Sequence, residues 1–241
     1  MTLQKVMSLV RKAVDDYNMI EENDNIAIGI SGGKDSLTLL CALNGLKRFY
    51  PKKFDIVAVT VDLGFKNINF DELKAFCSKL GVEYHIVTTD IYDIIFESRK
   101  EQNPCSLCAK MRKGALNDFA KKMNCNKIAY AHHKDDVVET MMMSLIYEGR
   151  LHTFSPVTYL DRTELTVIRP LIYMEEADVK GFVNKAGLPV LKSACPVDGY
   201  TKREYVKNLI KDINSESNGV KSRMFSAITN YPLKGWDSVD K

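Results

Sequence analysis

The composition of this chain is that of an ordinary globular protein. It has 241 residues, of which 45% are hydrophobic and 27% charged, and a formal net charge of +3 at pH 7. These values exclude a disordered chain and allow one large domain, or a domain with an appendage. No apolar run approaches the roughly 20 residues that a membrane span needs, and residues 1–17 alternate apolar and charged positions as an amphipathic helix does. We therefore expect a soluble cytoplasmic protein with no membrane contact.

The charge is unevenly distributed. Residues 99–134 carry 9 Lys or Arg against 2 Asp or Glu, and residues 180–223 carry 9 against 4. A polyanion such as RNA could bind both of these basic regions. The alternative is that they are ordinary solvated helix faces.

An alternation of predicted strands and helices runs through most of the chain. Apolar runs rich in β-branched residues predict strands at 26–30, 55–61, 83–87, 127–131 and 165–168. Helical periodicity predicts helices at 1–17, 37–49, 70–80, 106–123, 134–147 and 175–186. Residues 91–103 suggest a helix and a loop, 149–161 a loop, and the chain from 188 onward has a helical pattern. We expect glycines 81 and 187 to end two of the helices.

This order of elements predicts an α/β fold, with a mostly parallel, doubly wound, Rossmann-like sheet and a helical C-terminal region. We expect one domain over 1–187, including the N-terminal amphipathic helix, and a helical region over 188–241. Such sheets bind ligands at the carboxyl ends of their strands.

The loop after the first strand has the composition of an anion site. It consists of Ser31, Gly32, Gly33, Lys34, Asp35 and Ser36. Two glycines allow close approach of the backbone, the hydroxyls can donate, and the following helix offers free N–H groups. The spacing is not that of the Gly-x-x-x-x-Gly-Lys-Ser/Thr loop, and a plain Gly-Gly turn would not require the surrounding Ser and Asp. The loop resembles the PP-loop of ATP pyrophosphatases, which split ATP between its α and β phosphates.

Cysteines form a second candidate group. The six cysteines are too unevenly spaced for a secreted disulfide framework, so we expect free thiols. Cys105 and Cys108 lie three apart at a predicted helix start, where the helix dipole favours thiolates. This pair fits a redox couple, half a zinc site or part of an iron–sulfur site, and Cys195, before a proline, is a candidate third ligand. Apolar helical surroundings indicate core positions for the others, which are Cys41, Cys77 and Cys125.

Acidic and imidazole side chains follow two further strands. Asp62 ends the second strand, and His132 and His133 follow the fourth, ahead of Asp135 and Asp136 in the first turn of a helix. Carboxylates there can simply stabilise the helix start. Beside a triphosphate, a carboxylate can also hold Mg²⁺, and an imidazole can stabilise departing pyrophosphate. Two arginines, Arg150 and Arg169, are weaker candidates for a phosphate clamp.

Taken together, these motifs resemble one family over roughly residues 20–230. The PP-loop, the Cys-x-x-Cys with Arg112 downstream, the His-His-Lys-Asp-Asp run and the late Cys195 are similar to the tRNA 2-thiocytidine synthetases. The resemblance implies a [4Fe-4S] cluster on Cys105, Cys108 and Cys195. It also implies tRNA as partner, and a cytidine of the anticodon loop as target. Related enzymes act on uridine, so the base stays open.

The resemblance implies an AMP-forming reaction. ATP would adenylate a pyrimidine C2 oxygen with Asp35, Asp136 and Mg²⁺ assisting, and sulfur would then displace AMP. The cluster could carry the sulfur, or Cys105 or Cys195 could carry it as a persulfide; a cysteine desulfurase or free sulfide would supply it. A homodimer is plausible from the amphipathic ends. The expected ATP-binding residues are Ser31, Gly32, Gly33, Lys34, Asp35, Ser36, Asp62 and His133.

Two other functions are compatible with parts of the sequence. A PP-loop ligase or amidotransferase-like enzyme would use the same loop but needs no cysteine trio. A zinc-stabilised RNA-binding module would use the cysteines but needs no intact PP-loop. The two motifs occurring together favour the thiolation enzyme over both.

Overall fold

The structure is a computed structural model that describes residues 1–65, 68–99, 104–192, 194–195 and 201–230. Within these residues, the strands are β1 (Asp24–Gly29), β2 (Phe54–Asp62), β3 (Glu83–Thr88), β4 (Lys127–Ala129), β5 (Val157–Leu160) and β6 (Leu165–Ile168). The helices are α1 (Leu3–Asp16), α2 (Lys34–Leu46), α3 (Asp71–Leu80), α4 (Pro104–Lys122), α5 (Lys134–Glu148), α6 (Glu176–Ala186), α7 (Lys202–Glu216) and α8 (Val220–Asn230). A π-helical segment, Asp93–Ser98, precedes α4.

The described strands form one mostly parallel sheet in the order β3-β2-β1-β4-β6-β5. Every neighbouring pair is parallel except β5 and β6, which are antiparallel. The chain runs outward from β1 to β3 and then returns to place β4 on the other side of β1. The α/β prediction is therefore confirmed, and the reversal of strand order beside β1 is where such sheets bind ligands.

Helices cover both faces of the sheet. Ala27 of β1 packs in a buried cluster with Leu116 and Ala120 of α4. Because side chains alternate along a strand, Ile26 and Ile28 point to the opposite face, and both are fully buried as well. Each of these β1 side chains is thus enclosed, which explains why the strand has a continuous apolar run.

Local sequence explains where several helices begin and end. Gly81 and Gly187 follow α3 and α6 in the left-handed region, with φ of 67° and 60°, so the predicted stops are confirmed. Thr2 and Thr201 precede α1 and α7, and each side-chain oxygen accepts a hydrogen bond from a backbone N–H of the first turn.

Two predictions about the second half of the chain were wrong. The predicted loop over 149–161 contains β5, a four-residue strand that pairs with β6 around a turn in which Glu164 has φ of 52°. The chain from 188 is not helical throughout, since residues 188–192 and 194–195 are irregular and α7 begins only after Thr201. Pro189 lies in this irregular segment and cannot continue a helix.

Contacts divide the chain into two compact units. One comprises Met1–His133 with Ser155–Pro196 and holds every described strand; the other comprises Lys134–Phe154 with Val197–Lys241 and holds α5, α7 and α8. In the second unit Val138, Val206 and Ile210 form a buried cluster surrounded by methionines and Phe225. The predicted division into 1–187 and 188–241 stays a prediction. None of the described helices is long and apolar enough to span a bilayer.

Candidate functional site

Hydrogen bonds within the loop between β1 and α2 stabilise its conformation. Ser36 Oγ donates to the Gly33 carbonyl at 2.9 Å, and it accepts from Ser31 N at 3.3 Å. Gly33 N donates to Ser31 Oγ at 3.3 Å. Gly32 has φ of 79°, a conformation that glycine adopts without strain. Gly33 caps α2 without a side-chain hydrogen bond, so the helix N-terminus can receive an anion.

Lys34 is the cation of this loop, and it lies between two carboxylates. Its Nζ is 3.0 Å from Asp35 Oδ2 and 3.3 Å from Glu176 Oε1, at the start of α6. Burial by itself would lower the pKa of Lys34, but the charges of Asp35 and Glu176 outweigh it and raise the pKa above its usual value. The ammonium is therefore kept charged and oriented.

Asp35 combines this ion pair with a buried oxygen that faces an imidazole. Its Oδ1 is buried and has no hydrogen-bond partner in the described part of the chain, and His133 Nε2 lies 3.6 Å away. His133 is itself only 5% exposed. A buried carboxylate oxygen without a hydrogen bond is costly, and a cation at this position would offset the cost.

These groups meet because three adjacent strands end here. The loop follows β1, Asp62 ends β2 and His133 follows β4, and the three strands are neighbours in the sheet. Asp62 Oδ1 accepts a hydrogen bond from Gly64 N at 3.0 Å, which fixes the turn after β2. The structure thus brings Asp62 and His133 to the same sheet edge as the loop, as the sequence predicted, while their ATP-binding roles stay predictions.

The acidic turn of α5 is held by the C-terminal helices of the second unit. Asp135 is 5% exposed and pairs with Lys221 of α8 at 2.6 Å. Arg203 of α7 lies 3.5 Å from Asp136 and 3.2 Å from the buried Glu139. Burial, and next the charge of Asp136, raise the pKa of Glu139 despite the nearby Arg203. The catalytic role expected for Asp136 stays a prediction, because its carboxylate also has this structural contact.

The three candidate cysteine ligands lie in the first unit. Cys105 is exposed, whereas Cys108 and Cys195 are half-buried. Burial raises the pKa of the Cys108 thiol, Arg112 opposes the rise, and Cys195 and Cys105 add to it, so Cys108 interacts with both other thiols. No three Cys, His, Asp or Glu side chains among the described residues are arranged to hold a metal ion. The three thiols are near enough for their charges to affect the pKa of Cys108, and their joint ligand role stays a prediction.

Two of the cysteines predicted to lie in the core, Cys41 and Cys77, are buried. Burial raises the pKa of Cys41 to about 12 and that of Cys77 to about 11, as expected of core thiols.

Arg169 is buried and donates to the Ser155 carbonyl at 2.6 Å and to Thr158 Oγ1 at 3.1 Å. Burial lowers its pKa to about 10. Arg169 therefore fastens β5 onto β6, and its suggested role as a phosphate clamp stays a prediction. The other suggested clamp residue, Arg150, is exposed in the second unit.

Two residues of this site were missed by sequence reasoning. Glu176 supplies the second carboxylate to Lys34, but the sequence shows it only as an acidic residue in the first turn of a helix. Leu191 donates its backbone N–H to the Gly32 carbonyl at 3.0 Å, and no local signal marks it. Both residues reach the loop from a distant part of the chain.

The fold and this loop define a nucleotide-binding α/β protein of the PP-loop class. A family model described as a PP-loop domain matches residues 3–213. The chain is 39% identical over 230 residues to the tRNA-cytidine(32) 2-sulfurtransferase of Geobacter sulfurreducens, covering 94% of this chain and 90% of that protein. It is 40% identical to the protein of the same name from Pelobacter propionicus, covering 94% and 86%. The chain therefore belongs to the PP-loop family and, within it, to the tRNA-cytidine(32) 2-sulfurtransferase family.

Solved structures agree with this placement. The U34-tRNA thiolase NcsA from Methanococcus maripaludis, solved with its [4Fe-4S] cluster, is 26% identical with a TM-score of 0.77, covering 93% of this chain and 76% of that one. The NH3-dependent NAD synthetase of Campylobacter jejuni has a TM-score of 0.52 at 16% identity, covering 95% and 93%, and shares the fold alone. The resemblance to tRNA thiolases seen in the sequence is thus confirmed.

Proposed function

We propose that this protein is an AMP-forming tRNA sulfurtransferase that replaces the C2 oxygen of cytidine 32 with sulfur. The observation that carries the proposal is the closed PP-loop, with Lys34 fixed between Asp35 and Glu176, in a chain that matches curated cytidine(32) sulfurtransferases over 94% of its length. Membership of this family favours a sulfurtransferase over the two alternatives, a PP-loop ligase and a zinc-stabilised RNA-binding module. Since the substrate is a tRNA, we place the reaction in the cytoplasm.

The chemistry requires activation of an unreactive carbonyl. Attack of the C2 oxygen on the α-phosphorus of ATP forms an adenylated base and breaks the bond to pyrophosphate; sulfur then attacks C2, and AMP leaves with the oxygen. The N–H groups at the start of α2 bind the phosphates, and Lys34 neutralises charge that develops on the departing pyrophosphate. Fixed, charged donors lower this barrier because they need no reorganisation during the reaction.

The carboxylates of the site fit a magnesium ion. Asp35 Oδ1 is a buried oxygen with no hydrogen-bond partner in the described residues, and hard oxygen ligands suit Mg²⁺. We assign Asp35 to this ion, while the catalytic role expected for Asp136 stays a prediction. When bound, Mg²⁺ would neutralise phosphate oxygens of ATP. His133 Nε2 lies 3.6 Å from Asp35 Oδ1, beside the position proposed for the ion.

The cysteines fit an iron–sulfur cluster by their chemistry. Three thiols of the first unit interact electrostatically around Cys108, and NcsA, which has a similar structure, was solved with a [4Fe-4S] cluster. We assign Cys105, Cys108 and Cys195 as its ligands. With three protein ligands, such a cluster would leave one iron able to bind a sulfur species. A persulfide on Cys105 or Cys195 is the competing route for sulfur delivery.

Basic surfaces provide the contacts for tRNA. Lys110 and Lys113 of α4 are exposed in the first unit, and Lys202 of α7 is exposed in the second. Exposed lysines of this kind bind phosphates without reading sequence. We further propose that a cysteine desulfurase or free sulfide supplies the sulfur. We also propose that the protein forms a homodimer.

Nucleoside analysis tests the function directly. Anaerobically purified protein is incubated with ATP, Mg²⁺, sulfide and unmodified tRNA, and digested nucleosides are identified by mass spectrometry. We expect 2-thiocytidine at position 32, with AMP and pyrophosphate as co-products, and no product when cytidine 32 is replaced by uridine. Asp35→Ala should abolish AMP release, whereas Asp55→Ala, an exposed surface carboxylate, should not. ADP as the product, or thiolation only of uridine 34, would contradict the proposal.

A further inference from the structure

The C-terminal end of α5 exposes large apolar side chains. These are Leu145, Ile146, Tyr147 and Leu151, each between 42% and 57% exposed, and we call them the α5 patch. Earlier in the same helix, Val138 is fully enclosed by α7 and α8. Single exposed apolar residues are ordinary, but a group of them this close together marks an interaction surface.

Hydrogen bonds give this end of the helix a defined shape. Gly149 has φ of 64°, and Arg150 N donates to the Ser144 carbonyl at 3.2 Å. Thr153 Oγ1 donates to the Val137 carbonyl at 3.1 Å, so the chain that follows the helix turns back along it. The α5 patch therefore lies on a folded part of the second unit.

A cation lies over the aromatic ring of the patch. Lys202 Nζ of α7 is 4.8 Å from the centre of the Tyr147 ring, which is within the range of a cation–π contact. Tyr205 follows Lys202 by three residues, so the two side chains are neighbours on the surface of α7, and Tyr205 is 61% exposed. An ammonium group is thus flanked by two exposed aromatic rings.

This combination of groups suits an unpaired RNA base. A base has a flat π face that stacks on an aromatic ring, and the phosphates on either side of it attract a cation. RNA loops are recognised in this way because their bases can leave the stack. The proposed substrate has such bases, since cytidine 32 belongs to the anticodon loop.

A protein partner suits the same surface less well. The centre of a protein–protein interface is depleted of charged side chains, because an ammonium group loses its hydration there. Lys202 lies on the Tyr147 ring, so a protein that covered this ring would bury the charge as well. The phosphates beside a stacked base would instead compensate it.

We propose that Tyr147, with Lys202 and Tyr205 beside it, is a stacking site for an unpaired base of the tRNA anticodon loop. The inference deepens the proposed function and rests on it for the identity of the substrate. It adds to the exposed lysines, which bind phosphates, a contact that distinguishes a loop from a paired stem.

RNA binding by Tyr147→Leu tests this proposal. Leucine removes the ring but keeps an apolar side chain and is a good helix former, so α5 should be preserved. Full-length protein, purified anaerobically, is titrated with an anticodon stem-loop RNA in a filter-binding assay. We expect Tyr147→Leu to bind about tenfold more weakly, which is within the range for one base–aromatic stack.

The salt dependence and a second RNA identify the lost contact as stacking. The slope of log affinity against log salt should not change in Tyr147→Leu, because the variant loses no phosphate contact. A fully paired RNA duplex of the same length should bind the wild type and Tyr147→Leu equally. Tyr147→Phe keeps the ring and should bind the stem-loop as the wild type does. Tyr159→Leu, at an exposed tyrosine of β5 in the first unit, should do the same.

Three results would overturn the proposal. The first is wild-type affinity of Tyr147→Leu for the stem-loop, and the second is an equal loss of affinity for stem-loop and duplex. The third is a loss of affinity that accompanies dissociation of a dimer into monomers in sedimentation equilibrium, which would assign the α5 patch to a contact between subunits. Normal formation of 2-thiocytidine with any of these results would overturn this inference alone. Ring-dependent binding of the stem-loop without 2-thiocytidine formation would support the stacking site and overturn the proposed function.

Discussion

Glu176 Oε1 lies 3.3 Å from Lys34 Nζ, although the two residues belong to helices far apart in the sequence. Lys34 also pairs with Asp35 at 3.0 Å, so one ammonium is shared by two carboxylates. Glu176 in turn contacts Lys180, at 3.2 Å, one turn further along α6. The PP-loop lysine is therefore positioned by a helix outside the PP-loop motif.

Glu176→Gln should change the pH dependence of AMP formation. Asp35 and Glu176 together outweigh the burial that lowers the pKa of Lys34. With one carboxylate removed, the pKa of Lys34 falls, so the alkaline loss of activity should begin at a lower pH than in the wild type. We also expect kcat to fall about tenfold, or ~1.4 kcal/mol of transition-state stabilisation.

Two further variants serve as controls for Glu176→Gln. Glu175→Gln changes the exposed neighbour and should leave the pH profile in place. Glu176→Asp keeps the charge and should recover part of the rate. An unchanged alkaline limb in Glu176→Gln, measured as kcat against pH, would show that Glu176 does not act on Lys34.

Replacing Arg169 should lower the stability of the folded protein. Its buried guanidinium donates to Ser155 and Thr158, which anchors β5 on β6. Arg169→Leu removes two hydrogen bonds that involve a charged group, at a cost of about 1.5–3 kcal/mol. Urea denaturation should show a lower midpoint, whereas Arg162→Leu, at an exposed position of the same hairpin, should unfold like the wild type. Equal midpoints for both variants would exclude the anchoring role.

Iron content distinguishes the two groups of cysteines. Changing Cys105, Cys108 or Cys195 singly to Ser should remove most of the bound iron and all thiolation, because ligands of one cluster act together. Changing Cys41, Cys77 or Cys125 singly to Ala should leave both properties intact, since these thiols are buried in the core. A full complement of iron and normal thiolation in Cys195→Ser would reject the three-ligand assignment and favour a persulfide route.

The parts of this protein that sequence reveals are those with local causes. Burial on both faces makes β1 an unbroken apolar run, and the loop of Ser31 to Ser36 is contiguous, so both can be identified without a structure. The edge strand β5 has only four residues and follows an irregular stretch, and its pairing with β6 is the main signal of a strand. Local pattern therefore predicted the fold class but not this hairpin.

The contacts made by Glu176 and Leu191 could not be predicted for a different reason. Glu176 reaches the PP-loop from α6, which packs on α2, and Leu191 reaches it from the irregular segment after α6; both contacts depend on tertiary structure. The acidic start of α6 looks like an ordinary complement to the helix dipole, and Leu191 looks like the beginning of a helix. Of the candidate site, the sequence supplied the predicted functional residues, and the structure added Glu176 and Leu191, which contact the loop.

The basic surfaces predict how tRNA affinity depends on salt. Charge reversal at Lys110, Lys113 or Lys202 removes an exposed cation and adds a repulsive charge, so each variant should bind tRNA more weakly. The slope of log affinity against log salt should become shallower by about 0.7–0.9 for each phosphate that the variant no longer neutralises. Filter-binding titrations over a salt series measure both quantities. Lys74→Glu, at an exposed site on α3 in the more acidic half of the chain, should bind as the wild type does. Unchanged affinity and slope in all three variants would show that these lysines are ordinary solvated side chains and that tRNA binds elsewhere.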